Sequence, residues 1–333
     1  MDTRILNYWY CIQRIASALK RLLFILLFTG LLFNPGLSAA SESFRILSQN
    51  LNRLFDNIDD GNSEKVVSKR VFRQRVEAVA ERITGLFGLP DIIALQEVEN
   101  INVLNQISNQ IHARLGITYK SILREGNDIS GIDIGYLLHP RFRIDSISQL
   151  FKNDLLEYDK TPLFSRPPLY LQACIGSSCL SLLNLHLRSM RGLRSGTQGE
   201  RVQLKRLAQA EAISHWIDNF QRAWPDKSLM VLGDFNALTP SDSYFDLIGT
   251  IRGDPNNLNK SIAAKDWVEE NLIDLTRKIP AKRRYSYIYH KKKQILDYML
   301  VNTRFKPQLQ NIAFSRIDYR FSDHAALIAD FTW

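Results

Sequence analysis

Eight short apolar runs punctuate the chain: Phe44 to Leu51, Asp91 to Gln96, Ile132 to Leu138, Leu169 to Cys174, Leu180 to His186, Leu229 to Leu232, Ile295 to Val301 and Ala325 to Phe331. Their length and apolar character predict buried strands. Between them the period changes. Phe72, Val76, Val79, Ile83 and Leu86 recur by fours and threes, as do Leu104, Ile107, Ile111 and Leu115, and Leu207, Ala210, Ile213, Trp216 and Phe220 make a third stripe. Each stripe predicts an amphipathic helix. Strands alternating with helices, plus a hairpin around Cys174 and Cys179, predict a mixed sheet or two sheets packed face to face with helices outside. Chemistry then belongs on the loops at strand ends.

The first 40 residues read as a signal peptide and stand outside that pattern. Arg4, Arg14, Lys20 and Arg21 precede the apolar run Leu22 to Phe33, and small residues follow at Ser38, Ala39 and Ala40. The run suits a signal-peptide core and is short for a membrane span of about 20 residues. An uncleaved anchor is the alternative, and either way the rest of the chain is expected in the periplasm or secreted. Cysteine usage points the same way. Beyond Cys11 in the leader there remain Cys174 and Cys179, with four residues between them in the expected hairpin, where an oxidising compartment lets a small structural disulfide persist. Two thiols without a nearby His pair make a poor zinc site. Loss of the leader removes four basic residues and one acidic one, lowering the formal charge from +9 to +6. That excess is compatible with a polyanionic substrate but does not choose among nucleic acid, anionic lipid and simple solubility. No linker, repeat or low-complexity tract divides residues 41–333, which are expected to form one catalytic domain.

Polar residues gather where the apolar runs stop. Gly233, Asp234, Phe235 and Asn236 end the sixth run, and residues two apart on a strand share a face, so Asp234 and Asn236 point together. Gly233 lets the backbone bend or be closely approached there. An acceptor beside an amide can orient a water against a phosphate. The first run ends at Gln49, Asn50 and Asn52, and the second at Gln96 and Glu97. The fifth presents Asn184 and His186 on one face, and Asp297 and Asp323-His324 stand near the last two runs. Taken singly, each has a plainer reading: Asn50 as a turn former, Glu97 as a charge at the start of a helix near Asn100, His186 as an interior histidine. Those readings do not explain why every candidate sits at a strand terminus.

The ordered set Ser-Gln-Asn, Leu-Gln-Glu, Asn-Leu-His-Leu, Gly-Asp-Phe-Asn, Leu-Asp-Tyr and Ser-Asp-His resembles the endonuclease/exonuclease/phosphatase superfamily, over Phe44 to Trp333. The resemblance implies a four-layer α/β sandwich, two mixed sheets face to face with helices outside and the site at one edge. It implies Glu97 and Asn50 as metal-binding residues, helped by Asp323, and a hard divalent cation such as Mg²⁺, or Mn²⁺ or Ca²⁺, gripping a phosphate. It further implies that Asp234 and Asn236 position the nucleophilic water and a phosphoryl oxygen, and that His324 acts with Asp297 holding its imidazole. His186 supplies a second imidazole, present in deoxyribonucleases, sphingomyelinases and inositol phosphatases and absent from abasic-site enzymes.

The expected activity is phosphodiester hydrolysis by a monomeric enzyme. The loop Arg188 to Gly199 carries Arg188, Arg191 and Arg194 without an acid, and Arg188, Arg191 and Asn184 are the expected substrate contacts. A second basic segment runs from Lys282 to Lys293 with Tyr285, Tyr287 and Tyr289 at alternate positions. It reads equally as a stacking surface amid phosphate-binding charge or as a strand with a half-buried tyrosine face. Both segments favour nucleic acid, DNA or RNA, as the substrate. A membrane lipid headgroup is the alternative, for which Leu150, Phe151, Leu155, Leu156 and Phe164 form the apolar stretch to watch. A binding module that has lost turnover is disfavoured by the intact set of acids and histidines.

Overall fold

The eight apolar runs occupy the eight interior positions of two six-stranded sheets in the computed structural model, which describes residues 42–61, 63–238 and 244–333. The first sheet runs in the order β13 (Leu309–Phe314), β14 (Leu327–Thr332), β1 (Ser43–Leu54), β2 (Ile92–Val98), β4 (Asp133–Leu138), β3 (Lys120–Leu123). The second runs β5 (Arg143–Gln149), β6 (Leu169–Ile175), β7 (Ser178–His186), β8 (Ser228–Asp234), β12 (Asp297–Val301), β9 (Ile273–Asp274). A separate hairpin pairs β10 (Tyr287–Tyr289) with β11 (Lys292–Gln294). The predicted leader lies outside the described residues. Among the described residues, no helix is long and apolar enough to cross a membrane.

Alternation along the strands builds the layers. Ile46, Ile92, Ala94, Leu182, Met230, Leu232, Met299 and Leu327 project between the sheets into one continuous core. Leu47, Ile93 and Leu95 face outward onto α1 (Lys69–Thr84) and α2 (Ile101–Leu115), while Leu183, Leu185, Val231 and Leu300 face α3 (Gly196–Ala223) and α4 (Leu247–Arg252). The result is the four-layer sandwich. The stripes are the buried faces of the helices, except that Leu86 lies beyond the end of α1 and Leu115 at the last residue of α2, and both are exposed. Helix starts are fixed by side-chain caps: Ser68 accepts from the Val71 amide and Asn100 from the Val103 amide.

Each sheet contains one parallel pair, β1 with β2 and β7 with β8, and all its other pairings are antiparallel. A parallel neighbour requires a crossover, which α1 and α3 supply on the outer faces. The C-terminal ends of all four of these strands carry site residues: Asn50, Glu97, His186 and Asp234. Cys174 and Cys179 face each other across the β6–β7 hairpin and form the expected disulfide, with Cα atoms 4.1 Å apart.

Candidate active site

Register, rather than sequence proximity, assembles the site. In the second sheet His186 pairs with Asp234 and Asp234 with Asp297, so three adjacent strands place three polar side chains in one row facing the other sheet. Gly233 makes the row possible. Its φ is +130°, and a Cβ there would stand 2.1 Å from the Leu185 carbonyl oxygen, so only glycine lets β8 approach β7 at this point.

Glu97 reaches the same place by breaking the alternation. Ile93 and Leu95 face the outer helices, and an unbroken strand would send Glu97 the same way. Instead the register shifts between Gln96 and Val98, and Glu97 adopts φ +57°. This bulge turns the carboxylate into the cleft, at the cost of a backbone conformation disfavoured for a residue with a side chain.

Asn50 joins the two sheets. Its Nδ2 donates to Glu97 Oε1 at 3.1 Å and to Asp234 Oδ2 at 3.0 Å, while its Oδ1 accepts from the Asn52 amide at 2.8 Å. Asn236 clasps Asp234 from the other side, giving its backbone N–H to Oδ1 at 2.8 Å and its Nδ2 to Oδ2 at 3.2 Å. The His186 Nε2 lies 3.7 Å from Glu97 Oε1 and 3.6 Å from Asp234 Oδ2. Opposite, His324 Nδ1 is 2.7 Å from Asp297 Oδ2, and its Nε2 is 3.9 Å from Asp234 Oδ2.

Burial separates the charge states of these groups. It raises Asp234 to about 7, an effect that His324 opposes and Asp297 reinforces. Burial drives His186 well below the ordinary histidine range, helped by Arg166 and His324, so this imidazole is neutral. Burial also opposes charge on His324, but Asp297 and Asp234 outweigh it and raise the imidazole to about 10. One histidine is thus held neutral and the other protonated within a single site.

Two serines pin the dyad. Ser286 Oγ accepts from the backbone amides of Leu296 (2.9 Å) and Asp297 (3.2 Å), and Ser322 Oγ donates to the Asn50 carbonyl (2.7 Å) and accepts from the His324 amide (3.0 Å). Tyr287, on the β10–β11 hairpin, lays its ring 5.1 Å from that of His324. The tyrosine segment is therefore a strand with Tyr287 half-buried against the site and Tyr289 exposed at the hairpin tip beside His290. Glu97, His186, Asp234, Asn236, Tyr287 and His324 line a cleft of about 980 Å³ together with Arg53, Arg166, Arg191, Arg194, Lys292 and Asp323. A second cavity of about 800 Å³ lies beside Cys179 and Trp333, away from these groups.

Two expected substrate contacts stand elsewhere. Asn184 shares the face of His186 but lies one pair deeper, fully buried. Its Nδ2 donates to the Leu95 and Gly135 carbonyls and its Oδ1 accepts from Gln96, so it fastens one sheet to the other. Arg188 does not continue the strand, which ends at His186, and its guanidinium folds back onto Ser189 and the Arg191 carbonyl. Arg191 does line the cleft. Arg166, which the sequence pattern did not single out, takes the inner position: it donates to the carbonyls of His186 and Leu187 and pairs with Asp128 at 2.6 Å. Nothing in the sequence near Arg166 signals this.

The donor set suits a hard divalent cation. Glu97 and Asp234 bring two carboxylates to one amide nitrogen, and burial is what raises Asp234 there. Asn50 as placed turns its nitrogen, rather than its oxygen, towards the two carboxylates. Asp323 stands at the half-buried rim. Asp234, Asp297 and His324 also bring donor atoms within 4.8 Å of one another, but there the His324 proton already answers the Asp297 charge.

Comparison with known proteins agrees with this geometry. Residues 45–327 match the model described as the Endonuclease/Exonuclease/phosphatase family. Truncated TDP2 from Caenorhabditis elegans superposes with a TM-score of 0.55 at 18% identity, over 87% of this chain and 98% of that one. D. rerio TDP2 complexed with single strand DNA product gives 0.55 at 15% identity over 87% and 99%. ANGEL2, described as a 2',3'-cyclic phosphatase, gives 0.54 at 14% over 88% and 95%. At such identities the structures share the fold. No curated protein matches the sequence.

Proposed function

The chain belongs to the endonuclease/exonuclease/phosphatase family, and from that premise we propose that it is an exported, divalent-metal-dependent phosphodiesterase whose substrate is nucleic acid. The observation that carries the chemistry is the meeting of Asn50, Glu97, His186, Asp234, Asp297 and His324, drawn from six strand ends, around one cleft with hydrogen bonds joining the two sheets. A cation held by Glu97, with Asp234 and Asp323 nearby, supplies Lewis-acid polarisation of a phosphoryl oxygen. Mg²⁺ is the expected ion, with Mn²⁺ or Ca²⁺ as alternatives.

The protein's own groups divide the remaining work. Asp234, raised to about 7, is matched to accept a proton from an attacking water near neutral pH, and Asn236 fixes the carboxylate's orientation. His324, protonated across the neutral range, donates from Nε2 to the phosphoryl group and stabilises developing charge. Neutral His186 presents Nε2 from the opposite side without adding a charge. Arg166 and Arg191 line the approach, and the Lys291–Lys293 tract on the hairpin extends the positive rim, which suits a polyanion followed by its phosphates.

Export rests on the leader pattern and on the disulfide, which persists in oxidising compartments. The lipid alternative draws no support from the apolar stretch expected to serve it: Leu156 and Phe164 are buried, Phe151 stacks on Phe164 at 5.5 Å, and only Leu155 is exposed. The deciding assay is release of acid-soluble nucleotides from plasmid DNA and from RNA, with Mg²⁺ and with EDTA, alongside sphingomyelin and phosphoinositide hydrolysis. Metal-dependent cleavage of nucleic acid, lost in His324→Ala and Asp234→Ala, is expected. Turnover of lipid alone overturns the substrate, and full activity in EDTA overturns the metal.

A further inference from the structure

Immediately beyond Asn50 the backbone does something costly. Asn52 and Arg53 both take positive φ, 50° and 55°, in succession. Asparagine tolerates that region and arginine does not, so the surrounding structure must hold the segment in place. The holder is a guanidinium. Arg75, half-buried on α1, directs its guanidinium at three consecutive carbonyls: Nη1 to Arg53 at 2.6 Å, and Nη2 to Leu51 at 2.6 Å and Asn52 at 3.1 Å. Among the described residues Arg75 forms no salt bridge; Glu97 acts on its charge from a distance, and all its hydrogen bonds go into this clamp. A guanidinium can do this because its donors lie in one rigid fork.

The clamp ends at the reacting groups. The Asn52 N–H donates to Asn50 Oδ1 at 2.8 Å, and this sets which way the Asn50 amide turns. The amide nitrogen consequently meets Glu97 Oε1 and Asp234 Oδ2 together. The same segment delivers the Arg53 side chain to the cleft wall. We propose that Arg75 is a positioning residue, which acts through the strained Leu51–Arg53 segment to fix the Asn50 amide between the two carboxylates and to hold Arg53 at the substrate cleft.

The kinetic part rests on the function proposed above, so the test has a second readout that does not. Purified Arg75→Ala and Arg75→Lys are compared with wild type and with Arg73→Ala, a control on the exposed face of the same helix. Far-UV circular dichroism first establishes that each is folded. In limited trypsin digestion followed by mass spectrometry, the Arg53–Leu54 bond is expected to be cut at least about tenfold faster in Arg75→Ala. In phosphodiesterase assays its kcat falls about 10- to 100-fold, in keeping with the sensitivity of catalysis to small displacements, and added guanidinium restores part of the loss. Arg75→Lys, whose single ammonium cannot span three carbonyls, shows both effects in weaker form and serves if the alanine variant does not fold. Unchanged cutting at Arg53 overturns the proposal, whatever the enzyme's substrate. So does faster cutting with kcat intact or without response to guanidinium. A wild type inactive on every phosphodiester removes the functional reading, and the digestion still decides the clamp.

Discussion

Replacing Asp297 by asparagine probes the shortest charged pair of the site. Asp297 and His324 are both almost wholly buried, the imidazole bonds Asp297 Oδ2 at 2.7 Å, and Oδ1 has no hydrogen-bond partner among the described residues, so the side chain's one bonded partner is the imidazolium. The histidine stands at about 10 against an ordinary 6.5. At 1.36 kcal/mol per unit, that displacement corresponds to a ceiling of about 5 kcal/mol, comparable with the roughly 3–5 kcal/mol lost when one partner of a buried pair is removed. The sign follows from linkage. A raised histidine contributes its full stabilisation below pH 6.5 and loses it as the pH climbs towards 10. Asp297→Asn should therefore lower Tm most below pH 6.5, and the gap from wild type should close with rising pH. In the variant, burial acts on His324 with only Asp234 and Asp323 left to oppose it, so the imidazole is expected to be neutral at pH 7. The enzyme then loses its proton donor, with kcat down about 10²- to 10⁴-fold. Differential scanning calorimetry across pH 5–10, NMR titration of the His324 ring and pH–rate profiles measure the three quantities. A His324 that still titrates near 10 in the variant, or a Tm gap that widens with pH, refutes the reasoning.

Three further outcomes are expected. Glu97→Gln keeps the shape of the cleft but removes a charge, so the Mg²⁺-induced rise in Tm expected of wild type, equivalent to about 3 kcal/mol at a hundred times Kd, should vanish in calorimetry. Gly233→Ala forces a Cβ to 2.1 Å from the Leu185 oxygen at φ +130°; urea denaturation should show a loss above about 3 kcal/mol, and a variant as stable as wild type would mean that the β7–β8 approach is looser than described. Reduction of Cys174–Cys179, or the double serine substitution, releases a loop with a sequence separation of 5; the chain-entropy relation gives about 2 kcal/mol, readable as a Tm drop of a few degrees, with activity retained because the hairpin turn lies at the end of β7 opposite His186.

What was legible in the sequence followed from burial. Interior strands are apolar on both faces, so all eight appeared as runs, whereas β3, β5, β9 and β13, the four edges, have one side unpaired and appear only in the structure. β5 reads Arg-Ile-Asp-Ser-Ile-Ser-Gln, and no apolar run marks it. The candidate set was visible because residues at strand ends keep short motifs intact, from Gly-Asp-Phe-Asn to Ser-Asp-His. Arg166, Arg75, Ser286 and the misassigned Asn184 and Arg188 were decided by register and chain direction, which local sequence does not encode. Asn184 has the same face as His186 but a different depth, and depth is a property of how two sheets stack.

The chain by itself thus determined the alternation of strands and helices, the order of the polar termini and the residue types able to handle a phosphate. Tertiary structure alone decided which of them meet. A bulge turns Glu97 away from the helix layer, a glycine lets β8 close on β7, and Asn50 reaches Asp234 in the other sheet, 184 positions away. It also decided charge: the two histidines are the same amino acid, and only burial without a bonded carboxylate for His186, against burial with Asp297 for His324, makes one neutral and the other a cation.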